Sequence, residues 1–267
     1  MSFSEASPLR RYLLCCGLLV AFGVAKLPFE HALTRDLHAA HFLQYQLNLD
    51  VRAQVGQMGF VAALSGYRAV VADYLWIKNY EAWTRTEWGR MKFLMDAVTM
   101  LQPRAMTFWD DAAWHMAWNA GVAARENPHE PSELLRMKAE REYIETGERY
   151  LLEGIKHNPD RARLYERLGD LYARKMFDHC RAAEAYAQAA AHPDAMPYVK
   201  REGAFELAKC PGHEREAYDL LMRLYRLSER ERVPTLLRLI ERFQTELNIP
   251  AEERVDITED LKKGTPQ

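Results

Sequence analysis

Apolar residues recur three and four positions apart along most of this chain, and short polar breaks carrying Pro or Gly separate the runs. That period predicts helices joined by tight turns. In "IKHNPDRARLYERLGDLY", residues 155–172, one run stops at Asn158-Pro159, and Tyr165, six residues past the proline, opens the next with Leu168, Gly169 and Tyr172. A proline disfavours helical geometry in the residue before it, and the 3 and 4 spacing places the aromatic and Leu positions on one helix face. Near the C-terminus, "VPTLLRLIERFQTELNI" carries Leu236, Leu237, Ile240, Phe243 and Leu247 on one face, as a terminal capping helix does. Within residues 34–58, "LQYQLNLDVR" alternates apolar and polar like a strand. No convincing second strand pattern accompanies it, so this stretch is read as helix or extended linker.

The pattern differs at the N-terminus. Arg10 and Arg11 precede fourteen uncharged, mostly apolar residues, Tyr12 to Ala25, which is the layout of an export signal or a short signal anchor. Such a helix reaches about 21 Å, short of a roughly 30 Å hydrocarbon core unless Leu27 to Phe29 prolong it and Lys26 snorkels. The expectation is an uncleaved anchor in contact with the membrane through residues 12–29. A signal cleaved near Gly23 and Ala25, or a buried soluble helix, are the alternatives. Beyond the anchor, Lys26 and Arg35 mix with Glu30 and Asp36, so the arginine pair stays inside and the body faces out. This predicts a single-pass inner-membrane protein with a cytoplasmic N-terminus and a periplasmic bulk. A second apolar run, Phe60 to Ile77, holds Arg68 and Asp73 near its middle, each costing about 2.5–3.5 kcal/mol in a bilayer. It is read instead as a buried helix of the folded body, with the two charges in buried structural ion pairing with other helices.

A repeat underlies the helical pattern. Gly147, Leu151, Gly154 and Pro159 are spaced 4, 3 and 5, and thirty-five residues later come Ala182, Tyr186, Ala189 and, one place early, Pro193. Small residues a turn apart let a neighbouring helix approach closely, and the larger residue between them fills the gap. Tyr165, Leu168, Gly169, Tyr172, Ala182, Tyr186, Ala189 and Pro193 together resemble the tetratricopeptide repeat (TPR) pattern, with one extra residue in the turn at "KMFDHC". The match is good once and degenerate elsewhere, because Pro103 to Pro159 spans 56 residues rather than about 34. The resemblance implies an all-α fold: an N-terminal transmembrane or signal helix, then a TPR-like solenoid of helical hairpins. An ordinary helical bundle is the alternative. The divisions expected are an anchor over 1–29, a juxtamembrane linker over 30–58, the repeat domain over 59–248 and a polar tail over 249–267.

Composition narrows the function. A net charge of −2 gives no electrostatic case for nucleic acid, and 48% hydrophobic with 28% charged residues fits a folded chain. His38 and His41 lie a turn apart without further ligands, so no metal and no cofactor is expected. Asp178, His179 and Cys180 are consecutive, which suits a turn better than a catalytic set. Asp110 and Asp111 are read as helix-start carboxylates favouring the macrodipole. No enzyme is expected; a membrane-bound enzyme centred on Arg68 and Asp73 is the outlying alternative.

In the resembling family the first helix of each pair lines a groove. Carried onto this sequence, that implies a binding face of Asp110, Trp114 and Trp118 from one pair and Glu166, Asp170 and Arg174 from the next, aromatic and mostly acidic. Trp76, Tyr80 and Trp83 add further rings. The expected function is therefore a membrane-anchored extracytoplasmic adaptor that binds a protein partner in an envelope assembly. A small-molecule or glycan-binding accessory subunit using the Trp-rich helices is the alternative. Stacked hairpins also put Cys180 and Cys210 on one edge, one repeat apart, as a candidate disulfide, with two unrelated thiols as the alternative.

Overall fold

The computed structural model describes residues 67–257, together with helical residues 21–22, 24–26, 28–29 and 32. The anchor over 12–29 and the linker over 30–58 otherwise lie outside the described residues, as do Arg10, Arg11, Cys15, Cys16, His38 and His41. Among the described residues no helix is long and apolar enough to cross a membrane. Residues 67–257 fall within one compact unit, Gln57–Gln267, and every regular element among them is helical.

Among the described residues nine main helices follow one another. α1 (Arg68–Thr84) and α2 (Trp88–Leu101) come first. α3 (Met106–Trp114) runs on through a π turn, His115–Ala120, into Gly121–Arg125, and α4 (Glu133–His157) follows. α5 (Ala162–Leu171) ends in a second π turn, Tyr172–Met176, before α6 (His179–Ala190). α7 (Val199–Leu207), α8 (Glu214–Leu227) and α9 (Pro234–Glu246) complete the order. The starts obey local chemistry. Ser132 and Asp178 cap α4 and α6, accepting from the amides of Leu135 and Arg181, and Pro234 opens α9, where a missing N–H costs nothing.

Each helix packs on the next in sequence, and the contacts reveal direction. Along α3 and α4, Arg104 donates to the His157 carbonyl, Gly154 faces Trp109 and Gly147 faces Ala117, so the two helices run antiparallel. Their approach needs glycine: a methyl at Gly154 would sit 2.8 Å from Trp109 Cβ, and one at Gly147 2.8 Å from Ala117 Cβ. In α5 and α6, Tyr165 stacks on His192, Gly169 on Tyr186 and Tyr172 under Arg181, again antiparallel. Tyr186 is almost wholly buried there, and a Cβ at Gly169 would meet its ring at 2.9 Å. The extra residue in "KMFDHC" is absorbed by the π turn Tyr172–Met176 and by Phe177 in the left-handed region at φ 55°.

Two expectations are corrected here. Residues 249–257, assigned to a polar tail, belong to the folded body: Ile249 and Ile257 are buried with Leu236, Leu237, Ile240 and Phe243, and the Gln244 side chain pairs with the Val255 backbone. An isolated Ile after a helix stop carries no periodicity to reveal this. Of the run 60–77, expected to be a buried helix, residues 60–66 lie outside the described residues, and α1, which holds residues 68–77 of it, buries one stripe only, Ala72, Leu75, Asn79 and Ala82. Arg68 and Asp73 are both exposed on it rather than buried in ion pairs with other helices.

Candidate functional site

Two pairs of alternate helices, α1 with α3 and α3 with α5, run side by side in the same direction. Trp76 meets Phe108 and Trp83 meets His115, so α1 and α3 are parallel. Asp110 binds Arg163 and Arg167 while Trp118 lies under Lys175, so α3 and α5 are parallel too. Glu166 takes the Tyr198 hydroxyl just ahead of α7, and Arg201 reaches Glu231 just ahead of α9. One lateral face therefore gathers side chains from the first helix of successive pairs.

That face has two zones. Between α1 and α3 it is aromatic. Trp76 stands 6.4 Å from Phe108, Trp83 5.9 Å from His115 and 5.5 Å from Tyr80, all between ring centroids. Trp114 lies nearly flat on Trp118, with centroids 5.0 Å apart and planes 13° apart, and it is 43% exposed. The few polar groups here are desolvated. Burial holds the His115 imidazole below its ordinary pKa, and the Asn119 amide lies 2.8 Å from its Nδ1, an arrangement that suits a neutral ring protonated at Nε2. Burial, with the neighbouring Asp110 charge, raises the Asp111 pKa, against the hydrogen bond it receives from Trp76.

Between α3, α5 and α7 the face is a lattice of alternating charge. Asp110 accepts from Arg163 Nε at 3.2 Å and Arg167 Nε at 2.9 Å. Arg163 also binds Glu166 at 3.0 Å, and Arg167 binds Asp170 at 3.3 Å. Asp170 further accepts the Tyr186 hydroxyl at 2.9 Å and faces Arg174 at 3.3 Å. Burial and Asp170 push the Tyr186 hydroxyl well above its ordinary pKa, and burial with Glu166 lifts Tyr198 to about 12. Burial also raises Glu202, which feels Arg174 as an opposing influence.

The sequence-predicted site residues thus divide. Trp114 and Trp118 lie together on the aromatic zone. Asp110, Glu166, Asp170 and Arg174 join the lattice, and Glu166 is only 5% exposed, so it is no groove surface. The expectation of a mostly acidic groove is corrected: Arg163 and Arg167 neutralise it. Those two arginines were missed, although Arg163-Glu166 and Arg167-Asp170 show the i, i+3 spacing of helical ion pairs in "RARLYERLGD". Asp110 and Asp111 sit in the second turn of α3 and serve Arg163, Arg167 and Trp76, not the helix start. The candidate cysteines Cys180 and Cys210 are joined by a disulfide, with Cα atoms 5.0 Å apart, linking the start of α6 to the turn between α7 and α8. Among the described residues no group of three or more His, Cys, Asp or Glu is placed to hold a metal. No family model, curated protein or solved structure matches this chain.

Proposed function

We propose that this chain is a membrane-anchored, extracytoplasmic adaptor, that its hairpins stack as a TPR-like solenoid, and that its aromatic zone binds a protein partner. The observation that carries the reading is the half-exposed array of Trp76, Trp83, Trp114 and Trp118 across two parallel helices. Tryptophans with one open face supply large contact area at low entropic loss, which is why they dominate binding hot spots. Parallel first helices, with hairpin partners behind them, are the arrangement that presents such a face in repeat proteins. The Cys180–Cys210 bond supports an oxidising compartment. We assign the chain no catalytic step and place it at the outer face of an inner membrane, in an envelope assembly.

A second reading rests on the open, flat Trp114 ring, whose shape suits stacking of a sugar or small planar ligand. Affinity capture of the full chain from membranes separates the two. A protein recovered with wild type and lost with Trp114→Ala, at unchanged melting temperature, supports the adaptor. Unchanged recovery with that variant, alongside a glycan or metabolite whose binding it abolishes, supports the accessory subunit.

A further inference from the structure

Building on the adaptor reading, we infer that the protein partner seats an arginine side chain between Trp76 and Trp83, with its guanidinium on the Asp111 carboxylate and the Asn79 amide oxygen. One carboxylate of the lateral face lacks a cation. Asp110, Glu166 and Asp170 are each tied to arginine at 3.3 Å or less. Asp111, half-buried beside them, takes the Trp76 indole N–H and forms no ion pair among the described residues; Arg167, the cation that acts on it from a distance, is already held by Asp110 and Asp170. A carboxylate short of both water and a counter-charge is unfavourable, and a ligand cation relieves it.

One acceptor nearby lacks a donor. Asn79 is 3% exposed, and its buried Oδ1 has no hydrogen-bond partner among the described residues. Buried acceptors of that kind are rare in folded chains, and each calls for a donor from elsewhere. The two groups lie at one level. Trp76 pairs with Phe108 and Trp83 with His115 across the parallel helices, so Asn79, three residues past Trp76, is level with Asp111, three past Phe108. At 100° per residue Asn79 lies about 40° round α1 from Trp83 and about 60° from Trp76, on the edge of the buried stripe that borders the rings, with Leu75 and Ala82 farther round. The bond from Trp76 turns Asp111 toward the same seam. The seam thus has two indole walls, 43% and 37% exposed, above two acceptors.

A guanidinium satisfies this set. Its flat, weakly hydrated cation stacks on an indole, while its several N–H donors reach a carboxylate and an amide oxygen together. An anion would meet Asp111, an apolar group would leave both acceptors unpaired, and a sugar hydroxyl would leave the Asp111 charge unopposed. His115 does not compete as a cation, because burial disfavours its protonated form.

The test uses the full chain in mild detergent with isotope-labelled tryptophan, whose six indole N–H signals are followed by NMR as acetyl-Gly-Arg-Gly-amide is added. The Trp76 and Trp83 signals should shift saturably. The same peptide with citrulline, which keeps the shape and drops the charge, should bind at least about tenfold more weakly, as should the arginine peptide to Asp111→Asn at unchanged melting temperature. No saturable shift, equal affinity for the two peptides, or equal affinity of wild type and Asp111→Asn overturns the proposal, and the peptide comparison requires no variant to fold. Affinity capture from membranes then separates this inference from the adaptor reading. A protein lost with both Trp114→Ala and Asp111→Asn supports the two together. A protein lost with Trp114→Ala but fully retained by Asp111→Asn overturns the arginine seat and leaves the adaptor standing. Charge-selective peptide binding with no protein recovered overturns the partner as the source of the guanidinium, and the adaptor reading with it.

Discussion

The aromatic zone between α1 and α3 and the charge lattice between α3, α5 and α7 occupy one lateral face, yet they solve opposite problems. In the lattice nearly every side chain already has a partner. Asp110, Glu166 and Asp170 each accept from at least two donors, so their hydrogen-bonding capacity is spent on joining helices. In the aromatic zone, rings touch their neighbours on one side and water on the other. The first zone is therefore the part that fixes how successive hairpins sit, and the second is the part with surface left to offer. A mutation in the lattice should be felt in stability, and one in the aromatic zone in binding.

The largest effect expected is loss of the disulfide. Replacing Cys180 and Cys210 with Ser opens a loop of sequence separation 30 and should lower stability by about 2–4 kcal/mol, measured by denaturant unfolding with and without reductant. Equal stability of the two forms would put the ties between hairpins elsewhere. Next comes Gly169→Leu, which forces a side chain into the Tyr186 ring and should cost about 1–3 kcal/mol or more. An unchanged melting temperature with lost partner binding would instead make Gly169 part of a site. Asp110→Ala takes one of two carboxylate partners from each of two part-buried guanidiniums, which keep Glu166 and Asp170, and should cost about 1 kcal/mol, discounted for their exposure to solvent. Measured beside Trp114→Ala, which should leave unfolding within about 0.5 kcal/mol, it is the cleanest contrast of the two zones; equal losses would erase the distinction.

The smallest effect is a pH dependence. Burial lowers the folded-state pKa of His115 below its unfolded value near 6.5, so the unfolded chain binds the extra proton first. Stability contributed by the neutral ring is full above that value and falls as pH drops through it toward the folded pKa. His115→Gln should flatten that part of the stability curve; an identical slope in the variant would show that the ring is not desolvated.

Much of the helical order was legible from local signals. Pro159 and Pro234 mark boundaries because their geometry acts on adjacent residues, and Gly169 marks a close helix contact because it lacks a side chain, although its spacing does not name Tyr186 as the neighbour. What escaped was what depends on distant contact. Asp110 meets Arg163 and Arg167 more than fifty positions away, and nothing in the spacing of α3 names those partners. Glu166 reads as a surface carboxylate until Tyr198 and Arg163 close over it. The burial of Ile249 and Ile257 comes from a chain end folding back without periodicity. Likewise, the apolar composition of α1 predicts cover without saying which side of the helix receives it.

Site-resolved photo-crosslinking tests the division of labour between the two zones most directly. A benzoylphenylalanine introduced at position 114 or 83, on the aromatic zone, is compared with one at 163 or 170, within the lattice, in cells carrying the full chain. The expected result is a discrete cross-linked protein species from 114 and 83 and none from 163 and 170. Cross-links from the lattice positions, with the tryptophan positions silent, would contradict it.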